Sequence, residues 1–263
     1  MTMLKKQLIN LSAICVLAAS SSVAMAHINI AQEDAVVVGD GSREYKEGGS
    51  AFLDVNISHD CTNAEGKHFP TTGVALLLPN GQSVPGTYTA DHSGNMYGAN
   101  AVMGVKQRAS AIFKKTRVVK GQVDAFYSHG EKTEDARALK WMNGKVDNDH
   151  YDNLEFKAGF PKIDPESCVA KIKMYFPAVQ YCKNEHKIAW IKTADSIYGM
   201  GDAKTRVTDT YAAYVSVART SALPESCGEG EVVDVMPTVE EINMYLGEMP
   251  KHKKHKHKHS DDD

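Results

Sequence analysis

The chain has 263 residues, 42% of them hydrophobic and 24% charged, with 30 Lys and Arg set against 33 Asp and Glu. A formal net charge of -3 leaves no electrostatic case for nucleic acid, whose recognition needs a clustered basic surface. The length suits one sizeable β domain, or one domain with an appended segment.

Lys5 and Lys6 give a positive start, and Leu8 to Ala19 form a short apolar run. A small-residue stretch then ends in Ala24-Met25-Ala26, the A-x-A pattern of a cleaved export signal. Residues 1–26 are therefore expected to be removed, placing the protein in the periplasm or cell envelope, or outside the cell. No later stretch is long or apolar enough to span a membrane, which takes about 20 residues. Cleavage after Ala26 makes His27 the first mature residue.

From His27 onward the pattern is short β runs between turns. Ala35 to Val38 stops at Gly39-Asp40-Gly41, and Ala51 to Ile57 alternates polar and apolar residues as a half-buried strand does. Val74 to Leu78 ends at Pro79-Asn80-Gly81, a strand meeting a turn. Asp91 to Gly104 reads as a long polar surface loop, in which Met96 and Met103 act as anchors rather than soft metal donors. Ile112 to Val119 and Gln122 to Tyr127 follow, with a turn expected at Lys120-Gly121. Leu139 to Trp141, Asn153 to Phe160, Ala170 to Tyr175 and Lys187 to Ile191 complete the set. Such spacing, without helical periodicity, predicts an all-β sandwich or barrel.

Beyond Ile191 the texture changes. Tyr211 to Val217 is expected as one more strand, and Thr238 to Leu246 as a short helix. Thr238 and Glu241 have capping-box spacing, and Gly247 ends the run. The last stretch, Lys251 to Asp263, interleaves His252, His255, His257 and His259 with lysines before three aspartates. This composition cannot bury a core and suits either weak metal capture or a solvated charge.

Cys15 leaves with the signal, so Cys61, Cys168, Cys182 and Cys227 remain in an exported chain. An even count in an oxidising compartment reads as two disulfides, with three pairings open. No C-x-x-C spacing supports a thiolate metal site.

Together, several stretches resemble the YcnI-like copper-binding domain family of exported bacterial proteins. They are His27-Ile28-Asn29-Ile30 at the mature start, Ser58-His59-Asp60-Cys61, Pro70-Thr71-Thr72, Leu78-Pro79-Asn80-Gly81, Tyr127-Ser128-His129-Gly130 with Trp141, Asp149 to Phe156, and Tyr175 to Cys182 with Trp190. The resemblance runs from His27 to about Ile191. It implies an Ig/cupredoxin-like β-sandwich over residues 27–195, leaving 196–250 as a docked extension with the small helix and 251–263 as a disordered tail. It also implies a Cu(II) site in which the N-terminal amine and imidazole of His27 chelate the metal. Trp190 then supplies a neighbouring indole, and a carboxylate completes the set. The family's glutamate falls on Asn153, where this chain departs from the pattern. Asp152 is the substitute, although adjacent strand residues point to opposite faces. Cys61 and Cys182 match the family's cysteines and are implied to pair. A second bridge, Cys168 to Cys227, is then inferred for the pair left over, and the family does not supply it.

Two nitrogen donors on one terminal residue suit Cu(II) by ligand type and geometry. His59 and His129 sit in family-matching turns and are expected to serve structural hydrogen bonds, and His150 is a weaker site candidate. No G-x-S-x-G, H-E-x-x-H or P-loop occurs, so no catalysis is expected. The expected function is a Cu(II) buffer or carrier that exchanges copper with a membrane transporter or another periplasmic chaperone. Two alternatives stand beside it: a copper oxygenase recruiting His129 or His150 as a second histidine, and a disulfide-stapled interaction domain without metal.

Overall fold

The computed structural model describes residues 28–31, 36–37, 43–192, 195–208 and 213–247. The expected export signal, His27 and the histidine-rich tail lie outside these described residues, as do parts of the runs expected at 35–38 and 211–217. No helix among the described residues is long and apolar enough to cross a membrane.

The fold is an all-β sandwich with one short α-helix, among the described residues, near its C-terminal end. The first sheet runs β1 (Asn29–Ala31), β4 (Ser50–Ile57), β13 (Asp152–Gly159), β10 (Met103–Gln107). The second runs β11 (Lys115–Tyr127), β12 (Glu131–Val146), β7 (Thr71–Leu77), β16 (Ala178–Cys182), β17 (Lys187–Trp190), β18 (Thr205–Thr208). A third is β2 (Val36–Val37), β3 (Arg43–Lys46), β19 (Ala213–Ala218), β15 (Val169–Phe176), β20 (Glu231–Val235). Two small ribbons, β14 (Lys162–Ile163) with β8 (Thr87–Ala90) and β9 (Met96–Gly98), and β5 (Cys61–Thr62) with β6 (His68–Phe69), border these sheets.

Alternation builds the core. Leu53 and Val55 of β4, Leu154 and Phe156 of β13, Val74 and Leu76 of β7, and Leu139 and Trp141 of β12 are all buried in one cluster. Ile172 and Met174 of β15 and Val215 and Val217 of β19 join it. The chain passes from the third sheet to the second across Pro177, whose missing N–H costs the ladder nothing at the break. The disulfides Cys61–Cys182 and Cys168–Cys227 are both formed.

The residues expected as a docked extension are partly woven into the sheets. β18 lies parallel to β17, while β19 and β20 flank β15 on either side. The helix α1 (Val239–Leu246) docks from outside, burying Ile242 and Leu246 against Ala75, Leu77 and Val179. Its capping box is complete: the Glu241 N–H donates to Thr238 Oγ1 at 3.2 Å, and Glu241 Oε2 accepts from the Thr238 N–H at 2.7 Å. Thr238→Ala removes that acceptor and is expected to cost about 1 kcal/mol, readable as a lower urea midpoint with an unchanged slope.

Two expectations change in the structure. Lys120-Gly121 is not a turn, because β11 continues through it as Gly121 pairs with Asp135 and Gln122 with Glu134. The irregularity there is a bulge on the opposite strand: Val119 pairs with Ala138 and Lys120 with Ala136, so Arg137 is the extra residue. Arg137 is buried, pairs with Glu241, and lies 4.9 Å from the Tyr245 ring centre. Gly121 serves this close packing, since a Cβ there would sit 2.5 Å from Tyr245 Oη. The expected loop over 91–104 holds β9 and the start of β10, with Met103 buried in a satellite core with Ala99, Val123 and Phe126.

Candidate functional site

Strand register decides which residues meet at the N-terminal end of the first sheet. β1 pairs with β4 through Asn29 opposite Asn56 and Ala31 opposite Asp54. On the other side of β4, Asp152 stands opposite Ile57 and Asn153 opposite Asn56. Ile28, which is buried, therefore begins the described chain at the same end of the sheet as Asp152, with β4 between them. His27, the residue before it, is outside the described residues.

Neighbours along β13 face opposite ways, as a strand requires. Asp152 shares a face with the buried Leu154 and Phe156, whereas Asn153 is exposed on the other face. Asn153 Oδ1 accepts from Asn56 Nδ2 at 2.7 Å. Asp152 Oδ1 accepts from the Asn153 N–H at 3.0 Å. Its Oδ2 is buried and has no hydrogen-bond partner among the described residues. Burial pushes the Asp152 carboxyl above the usual carboxylate range, with the Asn153 N–H opposing more weakly.

β10 pairs with β13 as far as Gln107 opposite Phe156, and the Arg108 N–H still reaches the Glu155 carbonyl at 3.0 Å. Beyond that point the chain leaves the sheet, and the edge of β13 opens on a cleft of about 380 Å³. Arg108, Ser110, Trp141, Asp152, Asn153 and Glu155 are among its walls. Arg108 and Glu155 form an ion pair at 3.1 Å. Trp141 is fully buried, and its Nε1 also has no partner among the described residues.

The structure thus brings Asp152, Asn153 and Trp141 together. Trp190 is buried in the main core on β17, three strands along the second sheet from β12, and it does not wall the cleft. Trp141 is among the family-matching residues, but nothing in the sequence sets it above Trp190 as the indole beside the site; the register of β12 places it at the cleft. His59 is exposed, and its carbonyl accepts from Gln180 Nε2 at 2.6 Å. His129 takes a left-handed conformation, φ 52°, at the turn between β11 and β12. His150 is exposed in the segment leading into β13. Among the described residues no three His, Cys, Asp or Glu side chains converge as a metal cluster. The cleft instead offers one carboxylate oxygen short of a partner, in surroundings where a bound cation lowers the cost of ionising it.

Residues 98–209 match the family model described as a domain of unknown function, DUF1775. YcnI-like proteins are in that family. No curated protein matches the chain. Among solved structures, one similar chain is an uncharacterized protein from Nocardia farcinica whose crystal structure is described as revealing an immunoglobulin-like fold. It is 14% identical, with a TM-score of 0.36, over 67% of this chain and 93% of that one.

Proposed function

We propose that the protein is an exported Cu(II) carrier of the YcnI-like kind, holding copper between the terminal chelate of His27 and the carboxylate of Asp152. The observation that carries this reading is the buried Oδ2 of Asp152, without a hydrogen-bond partner among the described residues, at the sheet end where the described chain begins. An acceptor left without a donor in a half-buried place costs about 1–3 kcal/mol, and a bound cation, like an ordered water, supplies the missing partner. Asp152 faces inward and Asn153 outward, so Asp152 replaces the glutamate that the family resemblance leads one to seek at position 153. Trp141 takes the part of the neighbouring indole that the resemblance had given to Trp190.

The chemistry fits the donor set. A free α-amine and an imidazole on one residue close a chelate ring, and nitrogen donors favour Cu(II) among the common divalent ions. A carboxylate oxygen adds charge compensation. The described walls of the cleft include no histidine, cysteine or lysine, and transport and buffering are the reading preferred to turnover. Exchange with a membrane copper transporter or with another envelope chaperone follows from that role.

The test compares Cu(II) titrations of the exported protein with those of a form carrying one extra alanine before His27. The added residue is expected to reduce affinity at least a hundredfold and to change the copper EPR spectrum by removing the amine nitrogen. Equal affinity and identical spectra in both forms would place the copper elsewhere, with His129 and His150 next in line. An absence of binding by both forms would leave the disulfide-stapled interaction domain. Peroxide-dependent oxidation of a polysaccharide by the copper-loaded protein would favour the oxygenase.

A further inference from the structure

Lys140 is a buried cation with no part in the cleft. On β12 it lies between Leu139 and Trp141, which face the main core, so its side chain points to the opposite face of the second sheet. Register sets its neighbours on that face: Arg117 stands opposite on β11, and Ala75 opposite on β7. Ala75 packs beneath α1 with Ile242 and Leu246. Lys140 therefore occupies the corner between the helix-covered part of the sheet and β11, on which Arg117 is exposed.

No counter-charge meets this pair of cations among the described residues. Lys140 is only 8% exposed, and neither it nor Arg117 has an ion pair or a side-chain hydrogen bond there. Burial holds the Lys140 ammonium below the usual lysine range, and the Arg117 charge pushes the same way. On α1, Glu241 is paired with Arg137, and the Leu246 carbonyl accepts from the Tyr181 and Tyr198 hydroxyls. Like charges directly opposite on neighbouring strands, with Cβ atoms about 4.5–5.5 Å apart, oppose each other. A desolvated cation without a partner is costly as well. An anion seated between the two relieves both penalties.

We infer that Lys140 and Arg117 form a binding site for a small oxyanion, a carboxylate or phosphate group, on the face of the second sheet away from the copper cleft. The planar Arg117 fork meets two oxygens of one such group, and the compact Lys140 ammonium meets a third or shares one. The ligand approaches from the β11 side, because α1 covers β7 on the other. The site is made by β11 and β12 alone and stands whether or not the cleft holds copper.

The test follows the copper-free exported chain, carrying 13C-labelled lysine, by NMR from neutral to alkaline pH. The Lys140 Cε resonance is identified by its loss in Lys140→Met. Without added oxyanion its titration midpoint should lie below those of the exposed lysines. Inorganic phosphate, and acetate in a second arm, are each compared with NaCl at the same ionic strength. An oxyanion that prefers the charged amine should raise the midpoint by about half a pH unit or more, a threefold shift in the protonation equilibrium. A rise with one anion alone assigns the site to that group, and a rise with both assigns it to either. Arg117→Gln, an exposed substitution, should abolish the rise and leave the fold intact. A midpoint that neither anion moves would overturn the site. So would a rise that survives Arg117→Gln, or one that NaCl alone reproduces.

Discussion

Replacing Cys61 and Cys182 together with alanine is expected to lower the unfolding free energy by about 4–5 kcal/mol, from loop-closure entropy over a long ring. The bridge spans 121 positions, against 59 for Cys168–Cys227. The longer ring also does more for the site. Cys61 follows β4 by a few residues, and Cys182 ends β16, so the bridge fastens the end of the first sheet to the second. The Gln180 side chain reinforces the junction by donating to the His59 carbonyl. Ile57, opposite Asp152, sits just before it. Urea unfolding of the two double variants should show the larger midpoint drop for Cys61 and Cys182. Copper affinity at the cleft should fall with that bridge and hold when Cys168 and Cys227 are replaced, because the second bridge fastens residues beside β15 and β20 instead. A Cys61 and Cys182 variant as stable as its counterpart would show that hydrogen bonding at the junction suffices.

Much of this architecture could be read from residue order, for physical reasons that also explain the misses. Ala51 to Ile57 alternates so regularly that strand, face and core residues follow together, and β4 is observed at Ser50–Ile57. The helix at Thr238 announced itself through local capping chemistry, which needs no tertiary partner. The pairing of four cysteines was open until family likeness chose one bridge, and the structure forms both. Gly121 misled because glycine marks a turn and a close approach equally well. What decides between them is Tyr245, more than a hundred residues away. The same non-locality hid Trp141. Its role as a wall of the cleft depends on where β10 stops pairing with β13, and that is a property of three strands at once. At Asp152 and Asn153 the strand period alone stated the choice between faces, and the structure supplies which face is inward.

Asp152→Asn is expected to act in opposite directions with and without copper. In the presence of a chelator the variant should be as stable as the parent or more stable, by about 1 kcal/mol. It removes a charge that burial opposes and an acceptor that has no donor among the described residues. With Cu(II) at about a hundred times its dissociation constant, a protein that binds only when folded gains about 2.7 kcal/mol. The parent should show that gain as a higher thermal midpoint, and Asp152→Asn should lose most of it. Asn153→Ala gives the necessary contrast, because Asn153 faces outward and its oxygen is already taken by Asn56. That variant should lose a little stability in both conditions and keep its response to copper. The two substitutions sit on adjacent residues of one strand, so damage to the strand itself would affect both alike. If Asn153→Ala abolished the copper response while Asp152→Asn kept it, the inward carboxylate would not be the ligand, and the metal would lie on the outer face with the asparagine pair. Loss in the Asp152 variant alone ties copper to the Asp152 carboxylate oxygen that has no hydrogen-bond partner among the described residues.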